Sequence, residues 1–461
     1  MTAPRQGLLA ALRPGDPLAP LAWLALPLPV WWLLGLANLG YLLAAVPMAV
    51  ALGRRRAALR LPPGFGWWLL FLLWLLLSTS MLGLQPEGTV AGSAASRAVA
   101  VAFRLAEYGS ATVMLLWALN LDDRLVPPGR LVRMLAVLLG WTVAGGLLGV
   151  VAPTFEITSL TESLLPQGLS SNAYVHALVH PAAAQVQDVI AEGDGRPSAP
   201  FPYTNSWGNA MGLLLPWGVA AAAGARTVAG RARWITLLVL ATVPVVLSLN
   251  RGLWIGIALG LALVLVHLAR RGRPGAALGA VLGSVVVLAV LAASPLGNVL
   301  EERRSGDAPS DDIRSYSISR AVELASASPV LGYGGTRTQT GSPETIAVGK
   351  SPTCHNCGNL PIGTNGQLWF VLVGQGFVGA AFYLLFHVRL LQRCWADRSL
   401  LATCGAASML LALWFCLVYD RTGPTGCLEF LAIGCAVKHL MARSTARATG
   451  PVVALRQEVR A

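Results

Sequence analysis

Charge is scarce in this sequence. Only 12% of its 461 residues are Asp, Glu, Lys or Arg, about half the share of an ordinary soluble domain. That shortage excludes a typical cytosolic enzyme and also a disordered regulator, which depends on charge to stay solvated. Lysine is nearly missing: Lys350 and Lys438 stand alone among 34 basic residues. No GxxxxGK[ST] or GxGxxG run stands between a strand and a helix, so no nucleotide-driven engine is written into the chain. A second Cys-x-x-Cys is also lacking, which leaves Cys354 and Cys357 short of a four-thiolate zinc site.

What the chain has in plenty is apolar length. Hydrophobic residues make up 55% of it, gathered in blocks of roughly 17–25, enough to cross a bilayer as a helix. The blocks span 18–34, 36–53, 66–84, 97–120, 132–152, 207–224, 234–250, 252–268, 275–293, 366–388, 400–420 and 425–442. The expected fold is an all-α polytopic membrane protein of about twelve transmembrane helices, with a kink at Pro27 and Pro29 in the first. The first apolar block runs straight into the second without a small-residue cleavage pattern, so it reads as a membrane helix and not a signal peptide.

The net charge of +13 sits in short clusters between the blocks, with no basic stripe interleaved with aromatics, which argues against nucleic-acid binding. Positive residues are retained on the cytoplasmic side of a membrane. With both termini inside, the inner segments collect Arg5, Arg13, Arg54, Arg55, Arg56, Arg60, Arg124, Arg130 and Arg133, then Arg226, Arg231, Arg233, Arg270, Arg271 and Arg273. Arg389, Arg393, Arg398, Lys438, Arg443, Arg447, Arg456 and Arg460 follow, about 23 of the 34 in all. The organisation expected is N-terminal membrane helices 1–5 over 1–152, an external loop at 153–206 and helices 6–9 over 207–293. A large external loop at 294–365, helices 10–12 over 366–442 and a cytoplasmic tail at 443–461 complete it. Two external segments of that length are too long for mere connectors.

Chemistry-bearing residues gather in those loops and at the helix ends beside them. In Ser248-Leu249-Asn250-Arg251-Gly252, Arg251 falls at the membrane surface. A guanidinium there either snorkels to headgroups or grips phosphate oxygens in a two-pronged fashion. Asp311-Asp312-Ile313-Arg314 opens a helix-like stretch from Ile313 to Ser326, with Asp311 or Asp312 as N-cap. Arg314 then lies in the first turn, where the macrodipole disfavours a cation; it is either neutralised by the two aspartates or binds an anion. Pro329-Val330-Leu331-Gly332-Tyr333-Gly334-Gly335 is a stop-and-turn signal.

His355, in Pro352-Thr353-Cys354-His355-Asn356-Cys357-Gly358, offers a titratable imidazole able to take a proton from an attacking hydroxyl. Cys354 and Cys357 read first as a local disulfide, with free thiols an alternative. The rival is half a zinc site with His355, which His176, His180 and acidic residues of the 153–206 loop, such as Asp188, Glu192 and Asp194, would have to complete. Cys394, Cys404, Cys416, Cys427 and Cys435 lie in or near helices and read as small apolar residues. Within the membrane Arg104 and Glu107 share one helix face, as a structural ion pair or as the lining of a polar cavity. Asp420, Arg421 and Glu429 stand near the same outer mouth.

Together these pieces resemble the O-antigen ligase/O-antigen polymerase superfamily of bacterial membrane enzymes, from about 196 to 390. Arg196 to Asn205, with Phe201 between, is similar to the family's Arg…Phe…Asn stretch before a membrane helix. Ser248 to Ile255 looks like its Ser-x-Ser-Arg-Gly-x-Trp segment, with Asn250 in place of the second Ser. Arg314 precedes Pro329-Val-Leu-Gly-Tyr-Gly as the family's loop Arg precedes its Pro-x-x-Gly-x-Gly. His355-Asn356 looks like its His-Asn pair, and Gly376-Phe377-Val378-Gly379 like the Gly-x-x-Gly of the next helix. Here Cys357 and further residues separate His355 from that helix. An alignment on Gly376 would put Asn365-Gly366 where the pair belongs, so either the loop carries an insertion or the base differs.

The resemblance implies a metal-independent glycosyltransferase of polysaccharide biosynthesis in the cytoplasmic (inner) membrane, with no cofactor. Its donor would be a glycan on undecaprenyl diphosphate; its acceptor would be a glycan, lipid or protein. It implies His355 as the base and Arg251, Arg314 and Arg196 as ligands of the diphosphate. Metal-dependent membrane glycosyltransferases use acidic residues in an early external loop, and here those loops offer only Glu87. A multi-helix transporter or lipid flippase is the alternative, with Arg104 and Glu107 as a coupling pair.

Overall fold

A computed structural model describes residues 8–55, 59–170, 172–185, 195–275, 277–279, 281–283, 308–339, 359–421 and 423–458. Long apolar runs leave backbone groups no partners but their own, so they become helices. The helices are α1 (Ala19–Ala25), α2 (Leu28–Leu33), α3 (Gly40–Gly53), α4 (Phe65–Ser78), α5 (Ala94–Asn120) and α6 (Pro128–Val151). The next are α7 (Leu160–Leu164), α8 (Gln167–Ser170), α9 (Ala173–Val179), α10 (Thr204–Ala223), α11 (Val228–Leu247) and α12 (Arg251–Arg270). Beyond them lie α13 (Ala308–Ala327), α14 (Gln367–Ala396), α15 (Leu400–Val418) and α16 (Pro424–Glu458). Two small antiparallel pairs sit in the long polar segments: β1 (Ala184–Gln185) with β2 (Arg196–Pro197), and β3 (Arg337–Gln339) with β4 (Leu360–Ile362).

Among the described residues seven helices, in α5, α6, α11, α12, α14, α15 and α16, are long and apolar enough to cross a membrane. Each lies on one of the twelve expected blocks. The expected first helix is split into α1 and α2, because Pro27 and Pro29 withdraw backbone donors from the run. Blocks 36–53 and 66–84 form the shorter apolar helices Gly40–Gly53 and Phe65–Met81. Block 207–224 is the full helix α10, whose first turns carry Thr204, Asn205, Ser206 and Asn209. Block 275–293 lies mostly outside the described residues.

The core is built by α15 and α16, whose apolar windows are 67% and 78% buried, against 11% and 17% for α11 and α12. The exposed face of α4 (Leu69, Leu73, Leu76) and that of α11 (Ile235, Val239) are bare apolar surface. Such faces suit lipid, not water.

Contacts sort the connecting segments into two ends. At one, Arg130 pairs with Asp16 at 2.7 Å, Lys438 with Asp123 at 2.7 Å and Arg443 with Asp397 at 3.4 Å, while Arg270 lies 4.4 Å over Trp395. These join the segments expected to share the arginine-rich side. At the opposite end the described parts of the 153–203 segment, the α11–α12 joint, α13 and the α15–α16 turn come together. Two expectations shift. The helix around Arg314 begins at Ala308, with Pro309 in its first turn where a missing N–H is harmless; Asp311 and Asp312 are therefore helical residues and not caps. The last helix runs on to Glu458 in place of ending near 442.

Candidate functional site

Three residues, 248–250, join α11 to α12. Ser248 closes α11, and Leu249 takes φ 51°, a left-handed conformation that a leucine rarely adopts. Asn250 then caps α12, its Oδ1 accepting from Leu253 N at 3.2 Å. Serine and asparagine cap equally well, so the replacement seen in the sequence costs the joint nothing. Arg251 becomes the first residue of α12 and is exposed. There its charge opposes the helix dipole, an arrangement suited to a residue that meets an anion.

Two further elements close on the joint. Arg196, the first residue of β2, donates from Nε to Ser248 O at 2.8 Å. Tyr419, at the end of α15, donates its hydroxyl to Asn250 Oδ1. The tyrosine reaches that far because Gly208 and Gly252 leave room. A Cβ on Gly252 would stand 2.7 Å from the Tyr419 oxygen, and one on Gly208 would stand 2.5 Å from Asn250 Nδ2. Burial pushes the Tyr419 hydroxyl well above the usual phenol range, while the positive charges of Arg196 and Arg314 pull the other way. Arg196 and Arg314 thus act on one tyrosine, itself bonded to the residue before Arg251. Arg196 and Arg251 lie at this joint, and Arg314 is near enough for its charge to be felt there.

Arg314 is delivered by α13, and two glycine motifs anchor that helix. α14 is broken at Gly376 (φ 66°, ψ −172°), which frees backbone groups inside an apolar run. The turn after α13 takes them up: Tyr333 N donates to Val373 O at 2.9 Å, Gly334 N to Gly374 O at 2.7 Å and Phe377 N to Pro329 O at 2.8 Å. Gly332 has φ 62°, and a Cβ on it would lie 2.6 Å from backbone of Gly374 and Gly376. The turn and the Gly376 segment of the sequence reading are therefore two halves of one joint. Arg337 locks it, donating to Tyr333 O at 3.0 Å and Leu84 O at 3.1 Å. Burial, helped by the like charge of Arg97, lowers its pKa to about 10.

Beside the arginines lies an acidic and phenolic patch. Arg104 pairs with Glu107 at 3.2 Å and approaches Asp420 at 3.9 Å, donates to Arg421 O at 3.1 Å and covers Phe370 at 4.1 Å. Glu107 in turn accepts from Gly423 N at 2.5 Å. The two charges tie α5 to the α15–α16 turn as a structural ion pair. Burial raises the pKa of Asp420, and its Oδ1 has no hydrogen-bond partner among the described residues. Burial likewise raises Tyr174 and Tyr203, both under the influence of the Asp420 charge.

The turn that carries Tyr419 and Asp420 is held from below. Arg421 pairs with Glu429 at 2.8 Å and donates to Tyr383 Oη. Glu429 meets His387 Nε2 at 3.0 Å, and His387 Nδ1 donates to Tyr383 O at 2.8 Å. Gln367 accepts from Arg421 N at 3.2 Å and donates to Tyr108 Oη at 2.6 Å. Tyr419, Arg337 and His387 escaped the sequence reading, since each sits in an apolar or turn context with no motif of its own. His355, Cys354 and Cys357 lie outside the described residues, as do Asp188, Glu192 and Asp194. Cys394, Cys404, Cys416, Cys427 and Cys435 are buried thiols, as their apolar settings imply.

Residues 236–384 match a protein-family model described as O-Antigen ligase. The matched stretch contains the α11–α12 joint, α13, the turn after it and most of α14. No curated protein and no solved structure matches the chain.

Proposed function

We propose that this chain, assigned to the O-antigen ligase/polymerase superfamily by its 236–384 domain, transfers or polymerises glycan from an undecaprenyl-diphosphate donor. The acceptor is a hydroxyl at the outer face of the cytoplasmic membrane, and no metal takes part in the reaction. The observation that supports this reading is the joint itself: Arg196 bonds Ser248 O and Tyr419 bonds Asn250, the residue before Arg251, while the charge of Arg314 is felt at the same tyrosine. Three guanidiniums from three separate segments are the donor set a diphosphate needs.

In the reaction the acceptor oxygen attacks the anomeric carbon and the carbon–oxygen bond to the diphosphate breaks. The diphosphate departs with the electron pair, and the arginines stabilise the charge that develops on it. The acceptor proton passes to His355, the residue that the family resemblance assigns as base. A second reading of the base rests on Asp420, whose buried Oδ1 lacks a described partner and whose pKa burial raises. Such a carboxyl accepts a proton more readily than an exposed one. The arginine-rich end faces the cytoplasm and the Tyr419 end faces outward, in keeping with positive-inside retention. Transport is the weaker reading, because Arg104 is fixed by Glu107, Asp420 and a backbone carbonyl.

Purified protein supplied with undecaprenyl-diphosphate glycan and candidate acceptors tests this. Product formed in chelator and lost in Arg251→Ala and Arg314→Ala supports it. Movement of the lipid-linked glycan across vesicles with no product from any acceptor would make transport the better reading. The His355→Ala and Asp420→Asn variants decide between the two bases.

A further inference from the structure

We propose that Glu162, His176 and His180 form a site for a zinc-type divalent cation, which clamps α7 to α9 at the rim of the functional site. The three side chains offer one carboxylate oxygen and two ring nitrogens, all within 4.8 Å of one another. His176 lies in α9 and His180 caps its C-terminus, its N donating to His176 O; their rings stack with centroids 4.5 Å apart. Glu162 Oε1 lies 3.3 Å from His176 Nε2, and Oε2 lies 2.8 Å from His180 Nδ1. Ligands ~2.0–2.1 Å from a tetrahedral zinc stand roughly 3.3 Å apart, close to the two glutamate–histidine spacings.

The site is built, not accidental. Glu162 is the third residue of a capping box on Ser159, whose Oγ accepts from Glu162 N at 3.0 Å and donates to Val179 O at 2.6 Å. Both ends of the clamp are thereby fixed before any ion arrives. Asn38 adds a bond to Leu178 O at 2.8 Å, tying the last turn of α9 to the turn between α2 and α3. Glu156 Oε2, 3.6 Å from His180 Nε2, stands where an outer carboxylate orients a ligating imidazole. His176 is 46% exposed, which leaves a fourth position open to water. The same helix carries Tyr174, which responds to Asp420 and Tyr203. An ion holding α9 therefore holds one wall of the acidic and phenolic patch. Its part is positional, separate from the metal-independent transfer proposed above.

The test uses full-length protein in detergent with any polyhistidine tag removed, stripped by chelator and titrated with cobalt(II). The expected result is one cobalt per chain with the visible bands of four-coordinate cobalt, displaced by zinc. His176→Ala and His180→Ala abolish stoichiometric uptake, and Glu156→Ala weakens it ~10–100-fold. Each variant is first matched to the parent by gel filtration, and Glu162→Gln serves where an alanine variant fails to fold. No uptake by the parent chain overturns the proposal. So does uptake that survives loss of both histidines, or that depends on Cys354 and Cys357 instead. Metal content and the cobalt spectrum need no transfer assay, so their failure is distinct from failure of the proposed reaction.

Discussion

Asn250 joins two tasks: it caps α12 and receives the Tyr419 hydroxyl. Tyr419→Phe removes a buried hydrogen bond and should cost about 1 kcal/mol of stability, measured as a lowered thermal midpoint in detergent. In the proposed reaction Arg251→Ala and Arg314→Ala each remove a cation from the leaving group. Each should lower the transfer rate roughly 10²–10³-fold, while gel filtration and donor-free stability stay near the parent's. If Asp420 is the base, its carboxylate is the active form. Because burial raises its pKa, activity should then decline at a higher pH on acidification than an exposed Asp would give, and Asp420→Asn should abolish it. If His355 is the base, Asp420→Asn keeps most of the activity. The arginines were legible in the sequence because a cation at a helix start, or in an outer loop, has few structural reasons to be there. Tyr419 was not, because a tyrosine closing an apolar helix looks like any interfacial aromatic until its partner is seen.

The joint between the turn after α13 and the break in α14 is where local strain does structural duty. Gly376→Ala introduces a Cβ 2.5 Å from Pro329 O at φ 66°. It should destabilise the protein by about 1–3 kcal/mol and impair transfer without touching an arginine. Gly332→Ala should act the same way. Beneath the α15–α16 turn, Arg421→Ala removes the cation paired with the fully buried Glu429, leaving it His387 as partner, and should cost about 3–5 kcal/mol. Both defects are checked by thermal unfolding alongside transfer. Hydropathy reveals where such helices lie, because apolar length is all it needs. It passes over Gly376, since one glycine inside an apolar run looks like an ordinary helical residue. It does register Pro27 and Pro29, because proline removes a donor wherever it stands.

For the molecule as a whole, the separation of its two ends matters more than the number of crossings. The basic segments join through Arg130–Asp16, Lys438–Asp123 and Arg443–Asp397, and the arginines of the site lie at the other end. A periplasm-active phosphatase fused after residue 461 should be silent, and a green fluorescent protein there should fluoresce. The reverse pattern would turn the bundle over and put the site in the cytoplasm. The most direct test of the diphosphate site is a single-turnover assay in chelator with undecaprenyl-diphosphate glycan. It compares the parent with Arg251→Ala and Arg314→Ala variants of equal thermal stability. Glycan transfer by the parent and a loss of roughly 10²-fold or more in each variant is the expected result. Parental rates in both variants would contradict the site.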